Sequence, residues 1–559
     1  MNGVMRGIEL RRPVATVVGL YAVAVLLWQR DWLLSGEMYA EMATNYYWFA
    51  KSGSLSVMLF ARDSGYWPLP QRLISDVVHL LGLNASTVPY AYTASAVAGA
   101  GLLAGSFAHP LFRALVGCDV VRVTVALLLL CSLDTETRGF INFTYLVVVF
   151  GAAMVALACH RMEMDVPWWC WSLPALAISK PHVLVLAPMA AVAAVLARGR
   201  MRWLMGATVA AGLVQAGVLA RSATEAAAAG FNAPGLPLAT KLRDAVYYGF
   251  GLAGGDVAGP LSFQAGRERA LLMTGAGLCV FALVAWWRAR GRAEAGGAWL
   301  MLAGLALVVG TGAFNALTLT TVWGPNLEQL SAAGIYRHRV TALAGALLFV
   351  AGAGAVLSAW IAAALPQRAA RAARALPAAM LAVWLWATGS AIYPTLIREP
   401  TTYPLSGVGQ WQAMAGEIDR PERVACVPID PLGWSYPQGC VSLVRVPPPV
   451  RDVALADGAE IAVPGTVGAF RLLALGVSVK PAVAGVRTAR LRATVEHAGG
   501  TSEFLGESVL RPEGVQVLLT GTEGLQGVTR VRLAGDATLR LFMSGPADAP
   551  VPTVAWMGR

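Results

Sequence analysis

Of 559 residues, 57% are hydrophobic and 13% are charged, and the mean hydropathy is +0.58, which excludes an ordinary water-soluble enzyme and leaves a polytopic membrane protein. The formal net charge of +11 is carried by arginines in short clusters between apolar runs, the pattern of cytoplasmic loops, so the basic balance points to no nucleic acid partner.

Arg6, Arg11 and Arg12 precede an apolar run from Pro13 to Gln29 that is long enough to span a bilayer. No small-residue cleavage pattern follows it, so it reads as an uncleaved anchor with a cytoplasmic N-terminus. Polar and charged residues dominate from Arg30 to Leu83, a long first outer loop whose aromatic-rich pieces suit amphipathic helices on the membrane surface. Val88 to Phe107, a run ending near Leu133, and Phe143 to Cys159 read as three more spans, with Arg113 and Arg122 inside. Two short apolar pieces, Val166 to Ser179 and Val183 to Ala197, are separated by Lys180-Pro181-His182 and form a hairpin of short tilted helices or a re-entrant pair.

Further spans are expected at Trp203 to Ala220, Ala270 to Trp287, Ala298 to Ala316, Val340 to Leu365 and Pro377 to Tyr393. Inner loops carry Arg288, Arg290 and Arg292, then Arg368, Arg371 and Arg374, whereas the stretches Arg221 to Arg269 and Leu317 to Arg339 are mixed in charge and read as outer. About eleven spans with the N-terminus inside place the C-terminus outside.

From Pro394 the composition becomes that of a soluble domain. Alternation in RLRATVEH, GVQVLLT, VTRVRLAG and ATLRLFM, bounded by Gly, Pro and Asp, predicts half-buried antiparallel strands and a β-rich domain, read as a sandwich. The fold class is thus an α-helical polytopic membrane protein, residues 1–393 with a first outer loop over 30–87, followed by an extracytoplasmic β-rich domain over 394–559. Of seven cysteines, Cys118, Cys131, Cys159, Cys170 and Cys279 lie in or beside apolar segments as small hydrophobes. Cys426 and Cys440 bracket a Pro-rich outer stretch and suit a disulfide; no Cys/His spacing suggests zinc.

Two carboxylates, Glu37 and Glu41, flank Tyr39 in the first outer loop, and on a helix their spacing of four puts them on one face. Tyr46, Tyr47, Trp48, Tyr66 and Trp67 nearby can wall a cleft at headgroup depth. The run GEMYAEMATNYYWFAKSGSL followed by GYWPLPQRLI resembles the first outer loop of the GT-C superfamily of integral-membrane glycosyltransferases, in particular the aminoarabinose and protein mannosyl transferase branch. Beyond that loop the likeness is one of architecture. Where that branch carries an Asp-Glu pair this chain has Ser35 and Gly36, Met38 replaces an arginine, and Tyr66 and Trp67 stand where a lysine is expected.

The resemblance implies transfer of a sugar from a polyprenyl-phosphate donor to a hydroxyl of a lipid, glycan or protein acceptor, with a loop carboxylate as general base. Glu37 is the first choice, with Glu41 and Asp31 as the alternatives. It also implies cations that hold the departing phosphate. Lys180 and His182 in the hairpin turn, and Tyr336, Arg337, His338 and Arg339 before the span at Val340, are the candidates. Tyr39, Arg62, Tyr66 and Arg72 are expected to line the substrate site, while Asp63, Asp134, Glu136 and Arg138 suit either the site or surface pairing. Some relatives use a divalent metal, but the acids here support no metal or other cofactor. An O-antigen ligase, a polysaccharide polymerase and a transporter or flippase share this hydropathy; against transport, the ionisable residues cluster outside the spans. The Ala-, Gly- and Arg-rich composition suggests a bacterial inner membrane, which makes the outer side the periplasm.

Overall fold

The structure is a computed structural model that describes the chain apart from residues 1–8, 64, 134, 229–236, 259–267, 293, 319–338, 367–369, 371, 390–410, 421–426, 430–433, 438–441, 447–452, 456–457, 462, 464–470, 483–487, 510–514, 536–538, 542–553 and 559. The chain divides into two units, one of Met1–Leu27, Leu59–Leu73 and Ser95–Arg398, the other of Trp28–Met58, Ile74–Ala94 and Glu399–Arg559.

The first unit is helical. Among the described residues six helices are long and apolar enough to cross a membrane: Val88–Ala114, Phe143–His160, Gly199–Glu225, Glu268–Ala289, Ala295–Leu317 and Val340–Ala364. The pair Trp168–Ala177 and Pro181–Leu196 is bent by 115° and counts as a seventh when taken as one span. Of the other apolar runs in the sequence, Pro13–Trp28 and Leu376–Ala387 are shorter apolar helices and Asp119–Ser132 has 14 residues, below the roughly 20 that cross a hydrocarbon core. The bend follows from Pro181. Its ring disfavours helical backbone at the residue before it, and Lys180 is extended with φ −96° and ψ 146°.

Every residue from Val147 to Cys159 is buried, so this helix lies inside the bundle, whereas Glu268–Ala289 exposes Met273, Val280, Leu283, Val284 and Trp287, a side suited to acyl chains. Among the described residues the most extensive helix pairing joins Ala295–Thr318 to Val340–Ala364, and it depends on glycine. A Cβ on Gly304 would lie 2.5 Å from the Gly345 carbonyl oxygen, and one on Gly345 would lie 2.4 Å from that of Gly304. The stretch Arg221 to Arg269, read as outer loop, instead contains the helix Leu238–Ala258, which packs against Ala295–Thr318 and Glu268–Ala289 and buries Tyr248, Leu252 and Asp256. Lys241, Arg243 and Asp244 in its first turns interrupt the apolar run that would have signalled it.

A charged cluster holds the chain before the first helix. Asp119 accepts from the Leu10 amide (2.8 Å) and Arg113 (2.7 Å), and the buried Arg122 donates to Asp119 and to the Val116 carbonyl. A buried arginine requires such pairing of its charge.

In the second unit, the described parts of the four alternating segments are strands: Thr488–His497, Val515–Leu525, Arg530–Gly535 and Leu539–Leu541. Among the described residues, hydrogen bonding joins ten strands in one antiparallel sheet, and Val427–Ile429 pairs with Trp434–Tyr436 in a separate ribbon. Strand periodicity sets the core. Ala489, Leu491, Ala493 and Val495 point inward with Phe504, Val517 and Leu533, while Arg490, Arg492 and Glu496 between them are exposed.

Candidate functional site

The first-loop carboxylates belong to the second unit. Gly36 has φ +66°, and a Cβ there would lie 2.5 Å from the Tyr90 hydroxyl, so only glycine fits. Residues 35–38 are irregular, and Ala40 takes φ +41°, a left-handed backbone rare for a residue with a Cβ. Glu37 and Glu41 therefore do not share a helical face as their spacing suggested. A π-helix, Met42–Tyr47, follows directly. A strained residue next to a π-helix is a combination concentrated at functional positions.

Glu37 has a defined engagement. Its carboxylate accepts from the backbone N–H of Trp411 (3.1 Å) and Gln412 (3.3 Å) at the start of the helix Trp411–Ile418, and Lys51 Nζ donates to the Ile418 carbonyl at the other end (2.6 Å). Anion at the N-terminus and cation at the C-terminus both complement the helix dipole. The buried Trp411 donates from its indole to the Ala85 carbonyl (2.7 Å) and meets Tyr47 and Tyr436 edge-on, each at 5.2 Å. Asp419 accepts the Ala85 amide at 3.0 Å. Burial, with Asp419 nearby, pushes the Tyr436 phenol up to about 12 and raises Tyr47 as well.

The first unit holds a buried polar cluster around Lys180. Asp63 and Tyr66 exchange backbone hydrogen bonds of 2.8 and 3.0 Å across a tight turn, in which Gly65 takes φ +89°. That turn sets the two side chains together, and the Tyr66 hydroxyl donates to Asp63 Oδ2 at 3.1 Å. Lys180 Nζ donates to the same hydroxyl, 4.6 Å from the Tyr66 ring centroid and 5.8 Å from that of Tyr145. His182 Nε2 is hydrogen-bonded to Asn315 Oδ1 (2.9 Å), with its ring against Tyr145 and Phe314. Asp63, Tyr66, Lys180, His182 and Asn315 are all at most 7% exposed.

Neighbouring amides strap the cluster. Gln71 donates to the Ile141 carbonyl and Thr144 hydroxyl, and Gln215 donates to the Ser179 carbonyl.

Of the residues proposed from sequence, Tyr66, Lys180 and His182 are thus brought together. Arg72 is buried and donates from Nε to the Ala61 carbonyl (3.2 Å). Arg62 is half-exposed, paired with Glu225 (2.7 Å) and Ser222. Arg339 donates to Asp256, whose own carbonyl accepts the Trp384 indole N–H at 2.8 Å. Arg138 is buried and donates to the Leu133 carbonyl.

Tyr336, Arg337, His338, Asp134, Cys426 and Cys440 lie outside the described residues. Tyr145, Asn315 and Asp256 were not singled out in the sequence. The signal for the last two is a polar group inside an apolar run, where such residues are functional or paired. Among the described residues no three His, Cys, Asp or Glu side chains gather as a metal site. No protein-family model, curated protein or solved structure matches the chain.

Proposed function

We propose that this protein is a GT-C-type membrane glycosyltransferase with about eleven spans, located in a bacterial inner membrane with its β-rich domain periplasmic. It moves a sugar from a polyprenyl-phosphate donor to an acceptor hydroxyl with inversion. A first-loop carboxylate, Glu37 first and Glu41 second, takes the proton of the attacking hydroxyl as general base.

The observation that supports this reading best is the Lys180 ammonium, buried between two tyrosine rings beside a histidine, in the break between two bent helices. A lysine is rarely withdrawn from water without an anionic task. In a low-dielectric site an ammonium stabilises negative charge developing on a departing phosphate far more than it does in water. The left-handed backbone at Ala40, between Tyr39 and Glu41, supports a functional first loop.

The test is transfer from a synthetic polyprenyl-phosphate sugar by the purified protein, comparing wild type with Lys180→Met and Glu37→Gln. The reading requires turnover by the wild type and its loss in Lys180→Met. Inertness towards every such donor counts against the class.

A further inference from the structure

Polyprenyl-phosphate transfer has an electrostatic difficulty at a buried cation. The donor is a phosphodiester with one negative charge, whereas the product is a monoester with a second ionisation near pH 6, so it carries about 1.5 to 2 charges at pH 7. A fixed ammonium therefore holds product more tightly than donor.

In the structure the Lys180 ammonium is already engaged by an oxygen of its own chain. It donates to the Tyr66 hydroxyl, which itself donates to Asp63. Both acceptors come from one tight turn in which Asp63 and Tyr66 exchange backbone hydrogen bonds of 2.8 and 3.0 Å and Gly65 takes the left-handed region. The turn presents Lys180 with an oxygen ligand backed by a carboxylate, the chemistry that a phosphate oxygen offers. Lysine suits partner exchange: its ammonium is a compact charge on a flexible stem with three rotatable donors, unlike the fixed fork of arginine.

We propose that the Asp63–Tyr66 turn is an internal stand-in for the phosphate: it occupies Lys180 in the resting enzyme and competes the phosphate product off the ammonium after transfer. Asp63 is then a positioning residue that acts through Tyr66, and it governs product release. The proposal rests on the glycosyltransferase reading only in naming an alkyl phosphate as the ligand. A site covered by its stand-in nine times in ten shows an apparent affinity about ten-fold weaker than its intrinsic one.

The experiment measures binding of farnesyl phosphate to the full-length purified protein by calorimetry, for wild type, Asp63→Asn, Tyr66→Phe and the double variant Asp63→Asn/Lys180→Met. The proposal expects Asp63→Asn to bind about ten-fold more tightly and to be inhibited by product at correspondingly lower concentration. Tyr66→Phe, which keeps the ring beside the ammonium and removes only the hydroxyl, shifts in the same direction, and the double variant loses the gain. A merely structural Asp63 weakens binding when replaced or leaves it unchanged, and either result overturns the proposal. If the wild type binds farnesyl phosphate but Asp63→Asn binds no better, the stand-in fails and the donor class survives. If neither binds it, both fail.

Discussion

Replacing Glu37 separates two roles that the structure lets one carboxylate hold. Its oxygens accept the Trp411 and Gln412 amides at 3.1 and 3.3 Å, so Glu37→Ala leaves two N–H groups without this acceptor at the start of an eight-residue helix. Loss of a capping acceptor costs about 1 kcal/mol, and loss of the charge at the helix N-terminus adds about 0.3–1 kcal/mol, which makes roughly 2 kcal/mol for the alanine variant. Glu37→Gln retains one amide oxygen as acceptor and should cost about 1 kcal/mol, small beside a domain stability of about 5–15 kcal/mol. A general base, in contrast, contributes about 10²–10⁴-fold in rate. The glutamine variant is therefore decisive. It is expected to melt within a few degrees of wild type and resist protease in its C-terminal unit, yet to lose roughly 100-fold or more of its sugar transfer from a synthetic polyprenyl-phosphate donor. Transfer by Glu37→Gln at the wild-type rate refutes Glu37 as the base and leaves it a helix cap, with Glu41 next to be tested.

Asp256 and Arg339 form a buried ion pair, so Asp256→Ala or Arg339→Ala alone breaks it and should destabilise the protein by about 3–5 kcal/mol. The double variant Asp256→Asn/Arg339→Met should melt above either single variant, and additive losses would contradict direct pairing. Trp411→Ala empties a fully buried site and removes the hydrogen bond to the Ala85 carbonyl, at a cost of about 3–5 kcal/mol. Limited proteolysis should then cut in the C-terminal unit faster than in wild type. Burial raises the Tyr436 pKa from 10.0 to about 12 and raises Tyr47 too, so the neutral phenols favour the folded state. Their contribution is complete below pH 10 and is lost as pH rises towards 12. Phenolate absorbance should accordingly grow in together with loss of tertiary structure, and Tyr436→Phe should move that transition to higher pH. Titration of these phenols near pH 10 in a protein that stays folded would contradict the burial argument.

The sequence makes much of this fold legible where a periodic or compositional signal is local. Apolar runs mark the membrane helices, strict alternation marks the strands from Thr488 onward, and Pro181 marks the break that holds Lys180. Helix Leu238–Ala258 escapes because charges open it and glycine and alanine fill its packed face, which serves close approach and not apolar bulk. The pairing of Lys180 with Tyr66 spans 114 residues, and that of Glu37 with Trp411 spans 374. No local pattern encodes such contacts. Spacing alone also misjudged Glu37 and Glu41, because a four-residue interval means a shared face only if the backbone between stays helical, and Ala40 leaves that region.

Three of the buried cations of the helical unit, Arg122, Arg339 and Lys180, differ in how they are held, and the difference follows from side-chain chemistry. Arg122 spreads its guanidinium over Asp119 and the Val116 and Ala108 carbonyls, and Arg339 meets Asp256 directly; a rigid fork with many donors suits permanent contacts that fix one arrangement. Such pairs repay little net stability after desolvation; that of Arg339 joins helix Leu238–Ala258 to the start of Val340–Ala364, whereas that of Arg122 is made within one helix, Asp119–Ser132. Lys180 instead holds a hydroxyl of a small turn, on a stem able to redirect its three donors. Lys180 sits at the break made by Pro181, Arg339 at the start of helix Val340–Ala364 and Arg122 within helix Asp119–Ser132. On the proposed reading, a departing phosphate needs at the break a cation able to change partners, which the lysine stem permits and a fixed guanidinium fork does not.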